Sequence, residues 1–414
     1  VLPASGDCQV LVVGAGPAGG DLARQLACHD VAVMLIDQLP DLRRAAFSSA
    51  AMPLPAVQRF SLPAEVVASR WSGWRLIGPG DRRRDWQGVG PLGVVLDFAA
   101  LRLWLAEECR RWGGEVRLGL HVLGTEPRGE RMVTRLRDRQ GREHEVISDW
   151  VVDASGQSRC LLEPAGRSAS PEPLVSGIGV EWLLQVEPSC WSRWAGRLSF
   201  CLGSDWLPQG YGWVFPMQPG VLKVGACRLI DPQTDQPPLA PLVRDLLTRL
   251  LGEQALSHAT VLDRHGGLIR SRIHRRESHR RDRLIGLGDA VSTANLLGGE
   301  GIRHALTSSR VLAPLLIKAL RPHGADALRP AKAMVELDRY PRELSRALGR
   351  RWALSGRLAR RTWLGLRGPQ ADRRLDRLLH GLEQSRAEDV SALLFDYRFE
   401  RYGLRSLPYL FGWR

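Results

Sequence analysis

The chain has 414 residues, 44% apolar and 25% charged, a length that exceeds one ordinary core and predicts two domains, and a composition that excludes a disordered polymer. No run of eighteen apolar residues offers a membrane-crossing helix. The formal net charge of +14 invites a nucleic-acid reading, but no RNA-recognition, zinc-finger or helix-turn-helix pattern accompanies it, so nucleic acid is set aside as a partner.

The opening "VLPASGD" has neither a basic head nor an apolar h-region, so no signal peptide is expected and the chain reads as cytoplasmic. Seven cysteines without a CxxC pair fit reduced thiols, with Cys8, Cys28 and Cys109 expected in the core.

The sharpest element comes first. In "CQVLVVGAGPAGGDLARQLACHDVAVMLID", residues 8–37, a β-branched strand runs into Gly14, Gly16, Pro17, Ala18 and Gly19, an alanine-rich helix follows, and a second apolar strand ends in Asp37. This is the dinucleotide fingerprint in its full context. Gly14 makes the tight turn, Gly16 lets backbone approach a pyrophosphate, Gly19 lets helix pack on strand, and Asp37 accepts from the adenosine ribose hydroxyls. A second GxGxxG, "GVGPLG" at 88–93, follows polar "RRRDWQ" and runs into "VVLDF", so it reads as a loop. With one true fingerprint, any second cofactor binds transiently.

Further along, "WVVDASGQSR", residues 150–159, is a buried strand running into Asp153, Ser155 and Gly156. "GYGWVFPMQPGVLKVGAC", residues 210–227, alternates apolar positions, Val221, Lys223 and Gly225 included, and reads as sheet. "RSRIHRRESHRRDR", residues 270–283, is expected to be a solvated connector. The other reading gives its arginines to the phosphates of NADPH or a diphosphate substrate. Its histidines do not form HExxH, and no metal site is expected. "LIGLGDAVSTANLLGGEGIRHAL" then reads as strand, loop with Gly288 and Asp289, and a helix opened by Gly298, Gly299, Gly301 and Ile302. Such a helix start aims backbone N–H groups at electron-rich chemistry. His304, one turn on, reads as packed rather than as a proton donor.

The tail, residues 341–414, carries sixteen arginines against eight acids. Wound as a helix, Leu348, Trp352, Leu358, Ala359, Trp363 and Leu366 fall on one side, and Arg346, Arg350, Arg357, Arg360, Arg361 and Arg367 on the other. The favoured reading packs the apolar stripe on the protein itself. The second docks the helix peripherally on an anionic membrane surface.

The fingerprint, DASG and GDA with GGEGI together resemble the FAD-dependent flavoprotein superfamily of para-hydroxybenzoate hydroxylase and geranylgeranyl reductase, over residues 8 to about 310. The resemblance implies a discontinuous Rossmann-like FAD-binding domain (1–75, 96–165 and 262–320), an inserted antiparallel-sheet substrate domain (76–95 and 166–261) and a helical C-terminal region (321–414): an α/β fold. It implies that Asp289 holds a ribityl hydroxyl and that Gly298, Gly299 and Gly301 bring a helix start to the pyrimidine end of the flavin. "GYGWVFP" resembles the YxWxFP signature of the geranylgeranyl reductases, which implies that Tyr211, Trp213, Phe215 and Pro216 line the substrate cavity. An FAD-dependent reductase driven by NAD(P)H, saturating carbon–carbon double bonds of an isoprenoid-like apolar substrate, is the function implied.

The chain departs from that pattern in places. Phe98 stands where the family commonly has an FAD-contacting arginine, with Arg102 nearby as its substitute. "DLRRAAFSSAAMP", residues 41–53, has no cysteine, Leu296 replaces a proline, Gly225-Ala226-Cys227 replaces GxG, and Ser155 replaces the acid of the hydroxylase branch. The only lysines are Lys223, Lys318 and Lys332, which disfavours a halogenase. Monooxygenation of a small ring compound and a non-catalytic flavin-binding role are the alternatives.

Overall fold

A computed structural model describes residues 5–45, 48–164, 170–320 and 330–400. Its first strand, Ser5–Val13, runs parallel to Glu143–Asp153 on one side and Val33–Asp37 on the other. Leu284–Gly286 and Glu115–Leu118 extend the parallel set outward. Val10, Leu11, Val12, Leu35 and Ile36 are wholly buried, because a parallel sheet covered on both faces needs apolar residues at every position. The helix Pro17–Ala27 packs between Phe98–Arg111 and Ile302–Leu320, so three segments distant in sequence share one core.

The second sheet has the order Thr260–Ser271, Val175–Gln185, Val221–Leu229, Gly210–Pro216, Arg197–Leu202, Gly73–Ile77, Arg83–Gln87. It is antiparallel except where Arg197–Leu202 meets Gly73–Ile77. The helix Leu239–Leu251 covers one face with Val243, Leu246, Leu247 and Leu250. Two expected boundaries move. Thr260–Ser271 pairs throughout with Val175–Gln185 although the first domain was expected to resume at 262, and Gly73–Ile77 straddles the expected break at 75. Pairing partners decide sheet membership, and a linear sequence does not show them. "GVGPLG" is a loop that leads into the short strand Gly93–Leu96.

Among the described residues four helices lie from residue 330 onward: Pro330–Leu337, Tyr340–Gly365, Gly368–Leu382 and Ala387–Leu394. The stripe of the second packs on the protein. Trp352, Ala359 and Leu366 are buried, Leu348, Leu358 and Trp363 are half-buried, and all six arginines of the other side are exposed. Arg84 ties Gly368–Leu382 to the second sheet through Asp376 at 2.9 Å and Glu383 at 2.7 Å. Residues 401–414, counted in the basic tail, lie outside the described residues. Among the described residues no helix is long and apolar enough to cross a membrane.

Two expectations are corrected here. Cys8 and Cys109 are buried, which pushes their thiols up to about 12 and about 11, but Cys28 is exposed because it caps the helix end beyond the apolar stripe. The basic run is a solvated connector only in part: His274, Arg276 and Arg281 are exposed, but Arg272 and His279 are buried. Arg272 is 1% exposed and pairs with Glu163 and Glu277, and Glu277 also takes Arg159 at 2.7 Å. Burying these guanidiniums is tolerable because each meets a carboxylate.

Candidate functional site

The two sheets and the tail meet around a cavity of about 230 Å³. On one wall stand Pro17, Asp289, Gly299, Gly301, Ile302 and Ala305; on the other stand Tyr211, Trp213, Cys227, Leu268, Ile269 and Trp363. Residues from the fingerprint, the GDA loop and the aromatic strand are thus brought to one place.

At the fingerprint end, Gly14 adopts φ 109°, and a Cβ there would lie 2.4 Å from the Ala154 carbonyl oxygen. The strand-to-helix turn therefore closes against the DASG loop in a way only glycine permits. Gly16 is the helix N-cap without a side-chain cap, and the space where its Cβ would lie is open. The first-turn N–H groups consequently face open space rather than a side chain. Asp37 accepts from Ala15 N at 2.8 Å through one oxygen and from Leu39 N at 2.9 Å through the other, which leaves lone pairs for a further donor on each. Arg102, 5% exposed, donates to the Ala15 carbonyl, reaches Asp37 at 3.7 Å and stacks over Phe98. Burial lowers its pKa and Asp37 opposes the shift. The arginine one turn beyond Phe98 therefore does reach the fingerprint.

The other helix start is built by hydrogen bonds within its loop. Asn295 and Glu300 exchange backbone bonds at 2.9 and 3.2 Å, and Ala305 N donates to Gly301 O at 2.8 Å, so the helix begins at Ile302. Asp289 accepts from Thr293 Oγ1 at 3.0 Å, and burial holds its carboxyl above the ordinary range. Gly288 lies against Ala18 of the fingerprint helix, and Gly299 lies against the Tyr211 hydroxyl, which donates to Gly298 O at 3.2 Å. Glu300 faces Arg303 at 2.7 Å, yet burial pushes its carboxyl up to about 7.

Behind the aromatic wall lies charge that sequence reasoning missed. Glu181 is wholly buried; it accepts from Trp213 Nε1 at 2.8 Å and faces His265 Nε2 at 3.2 Å, while His265 Nδ1 meets Asp263 at 2.7 Å. Lys223 donates to Ser48 O at 2.7 Å, and burial lowers its pKa while Glu181 opposes the shift. Cys227 stands opposite Tyr211 in register, and burial pushes its thiol up to about 12. Tyr211 is likewise raised well above the ordinary phenol value by burial. Both groups stay protonated and neutral at physiological pH. Trp363 closes the wall from the tail helix, its ring centroid 5.0 Å from that of Tyr211, with Nε1 donating to Leu296 O and Leu297 O. Alternating glycine and aromatic residues are the signal for the strand's own packing: a Cβ on Gly225 would lie 2.4 Å from the Trp213 ring.

Other expected site residues lie outside the lining of this cavity. Phe215 and Pro216 do not line the cavity. Phe215 shares the face of Tyr211 and Trp213 but lies farther along the strand against Phe200, and Pro216 is buried on the opposite face. Ser155 is engaged in its own loop, donating to Asp153 and accepting from Cys160 N at 3.0 Å. Gly156, at φ 69°, has open space at its Cβ position. His304 is buried, as expected, and burial with Arg303 beside it pushes its pKa down to about 3.

No family model matches the chain. It is 28% identical over 321 residues to a digeranylgeranylglycerophospholipid reductase of Haloferax volcanii, covering 75% of this chain and 76% of that one. To a chloroplastic geranylgeranyl diphosphate reductase of Oryza sativa it is 26% identical over 334 residues, covering 76% and 68%. Among solved structures, a geranylgeranyl bacteriochlorophyll reductase-like protein of Thermoplasma acidophilum superposes with a TM-score of 0.78 at 18% identity, over 96% of this chain and 98% of that one.

Proposed function

We propose that this chain, a geranylgeranyl reductase-like FAD-dependent oxidoreductase, takes electrons from NAD(P)H and saturates carbon–carbon double bonds of an isoprenoid-like apolar substrate. One observation carries the reading: a single cavity has the fingerprint and GDA residues on one wall and a mainly aromatic and aliphatic surface on the other, with Arg228 its one charged member.

The residues present fit FAD. The uncapped helix start at Gly16 and the open space at Gly16 and Gly156 leave room that no side chain of the described residues fills. Gly14, Gly16, Pro17, Ala18 and Gly19 would hold the diphosphate at that helix start. Asp37, oriented by Arg102, would accept from the adenosine ribose. Asp289 would accept from a ribityl hydroxyl, whose proton would draw the carboxylate back toward its ordinary range. Gly298, Gly299, Gly301 and Ile302 would face the pyrimidine end. When bound, the flavin supplies hydride transfer. The protein's part at the other wall is chiefly to exclude water: Tyr211, Trp213, Leu268, Ile269 and Trp363 present ring and alkyl surface, Glu181 and Lys223 stay behind it, and Arg228, the charged residue of the lining, donates to Pro237 O.

The test is direct. Purified protein should be yellow and release FAD on heating, and with NADPH under anaerobic conditions it should add two hydrogens to each double bond of an isoprenoid substrate. Colourless protein that cannot take up FAD sinks the reading. Product that appears only with oxygen replaces the reductase by a monooxygenase, and neither product leaves a flavin-binding protein.

A further inference from the structure

A second cavity, of about 540 Å³, opens on the far side of the helix start at Ile302. Ile302 and Ala305 line the first cavity, whereas Arg303, His304 and Thr307 line this one. Its wall carries five guanidiniums, those of Arg59, Arg303, Arg350, Arg351 and Arg398. Arg303 is neutralised by Glu300 and Asp396, and Arg351 by Glu400. Among the described residues Arg59, Arg350 and Arg398 have no carboxylate partner, so the pocket's arginines outnumber the carboxylates that meet them. Two donors at the pocket, Arg398 Nε and Trp352 Nε1, are shielded from solvent and have no acceptor among the described residues.

Backbone adds to this field. Gly349, at φ 85° and ψ 166°, interrupts the helix Tyr340–Gly365 inside the pocket wall. Only glycine adopts that conformation readily. The helical run therefore restarts at the pocket, and a helix start presents N–H groups without intrahelical acceptors together with the positive end of the dipole. Buried His304, which stays uncharged, adds no positive charge and takes none away.

We infer that this pocket binds the phosphate or diphosphate group of a ligand. Guanidiniums match oxyanions with paired N–H donors, and a helix start supplies backbone donors to the same oxygens. The inference does not rest on which double bond the first cavity handles, since it concerns a separate wall and a separate ligand group. The phosphate has two sources within reach of this chemistry, an isoprenoid diphosphate and a dinucleotide electron donor.

The experiment titrates inorganic pyrophosphate into the full chain by calorimetry at low salt. Saturable binding is expected, weakening as salt rises, and weakening at least roughly tenfold in Arg350→Gln/Arg398→Gln. Arg357→Gln/Arg360→Gln, on the same helix but outside the pocket, should bind as the parent does, and circular dichroism melts establish that both variants fold. No binding by the parent protein, or equal binding by Arg350→Gln/Arg398→Gln, overturns the assignment. Competition then identifies the source: displacement of pyrophosphate by an isoprenoid diphosphate or by NADPH supports the site and names its ligand class. Displacement by neither overturns the assignment to a ligand's phosphate.

Discussion

Gly299→Ala probes the point where the GGEGI turn touches the aromatic strand. Gly299 has φ 64°, and an added Cβ would lie 2.4 Å from the Tyr211 hydroxyl oxygen but 3.7 Å from the ring carbon that bears it. Alanine in that left-handed region costs about 1–2 kcal/mol. The hydroxyl must also swing away from Gly298 O, which forfeits a further ~0.5–1.5 kcal/mol. The single variant should therefore lose about 2–3 kcal/mol of stability. Tyr211→Phe alone should lose only the hydrogen bond, ~0.5–1.5 kcal/mol. In the double variant that bond can be lost only once, and the ring carbon is at ordinary contact distance. It should be less destabilised than the sum of the singles by about 1 kcal/mol. Urea unfolding of the four proteins reads this coupling, provided the slopes agree. Because the raised Tyr211 hydroxyl stays neutral, the coupling should not change across neutral pH. Additive losses, within about 0.3–0.5 kcal/mol, would show that hydroxyl and turn are not in contact.

Four further outcomes are expected. Glu181→Leu leaves the Trp213 indole N–H without an acceptor, whereas Glu181→Gln keeps one, so the leucine variant should be less stable by about 1–3 kcal/mol; equal melts contradict the contact. Burial raises the Glu300 carboxyl from 4.5 to about 7, so the folded chain binds more protons than the unfolded one between those values. The contribution is complete below the unfolded value and is lost as pH rises through the folded one, on the order of 3 kcal/mol, and a Glu300→Gln melt that keeps the parent's slope there refutes it. Trp352→Ala should cost about 3–5 kcal/mol as a large buried side chain. With the stripe packed on the protein, the chain should ignore acidic liposomes at any salt; salt-sensitive flotation that falls when Arg357, Arg360 and Arg361 are replaced by Gln would restore the membrane-surface reading.

What the sequence made legible follows from the range of the contacts involved. Gly14, Gly16 and Gly19 sit in one strand-turn-helix unit, so their spacing predicts its turn although Ala154, which crowds Gly14 and Gly19, comes from a distant loop, and the tail's stripe is equally local. Arg102 was legible as a neighbour of Phe98 because one helical turn separates them. Phe215 was misplaced because the YxWxFP resemblance names the strand's residues and not how far this chain's cavity extends along it. The basic run was misread because Glu163, which with Glu277 neutralises Arg272, lies over a hundred residues upstream. Glu181 was invisible for the same reason: only the register with Gly225 and His265 places it beneath Trp213.

The tail joins fold stability to the site. Trp363 belongs to the apolar stripe that fixes the helix Tyr340–Gly365, yet its ring also closes the cavity against Tyr211, and its N–H caps two carbonyls of the loop that leads to GGEGI. Asn295 in that same loop donates to Trp352 O and Ser355 Oγ of the helix. The loop that would present the flavin's helix start is therefore held from behind by the tail as well as by its own bridge to Glu300. Loss of the helix would expose the aromatic wall to water and release the loop together, because the same side chains perform both tasks. The largely apolar character of the cavity is thus a property of the whole chain: the loops and helix starts beside the first sheet supply one wall, the second sheet supplies the other with Glu181 and Lys223 behind the rings and Arg228 alone of its charges in the lining, and the C-terminal helix closes both.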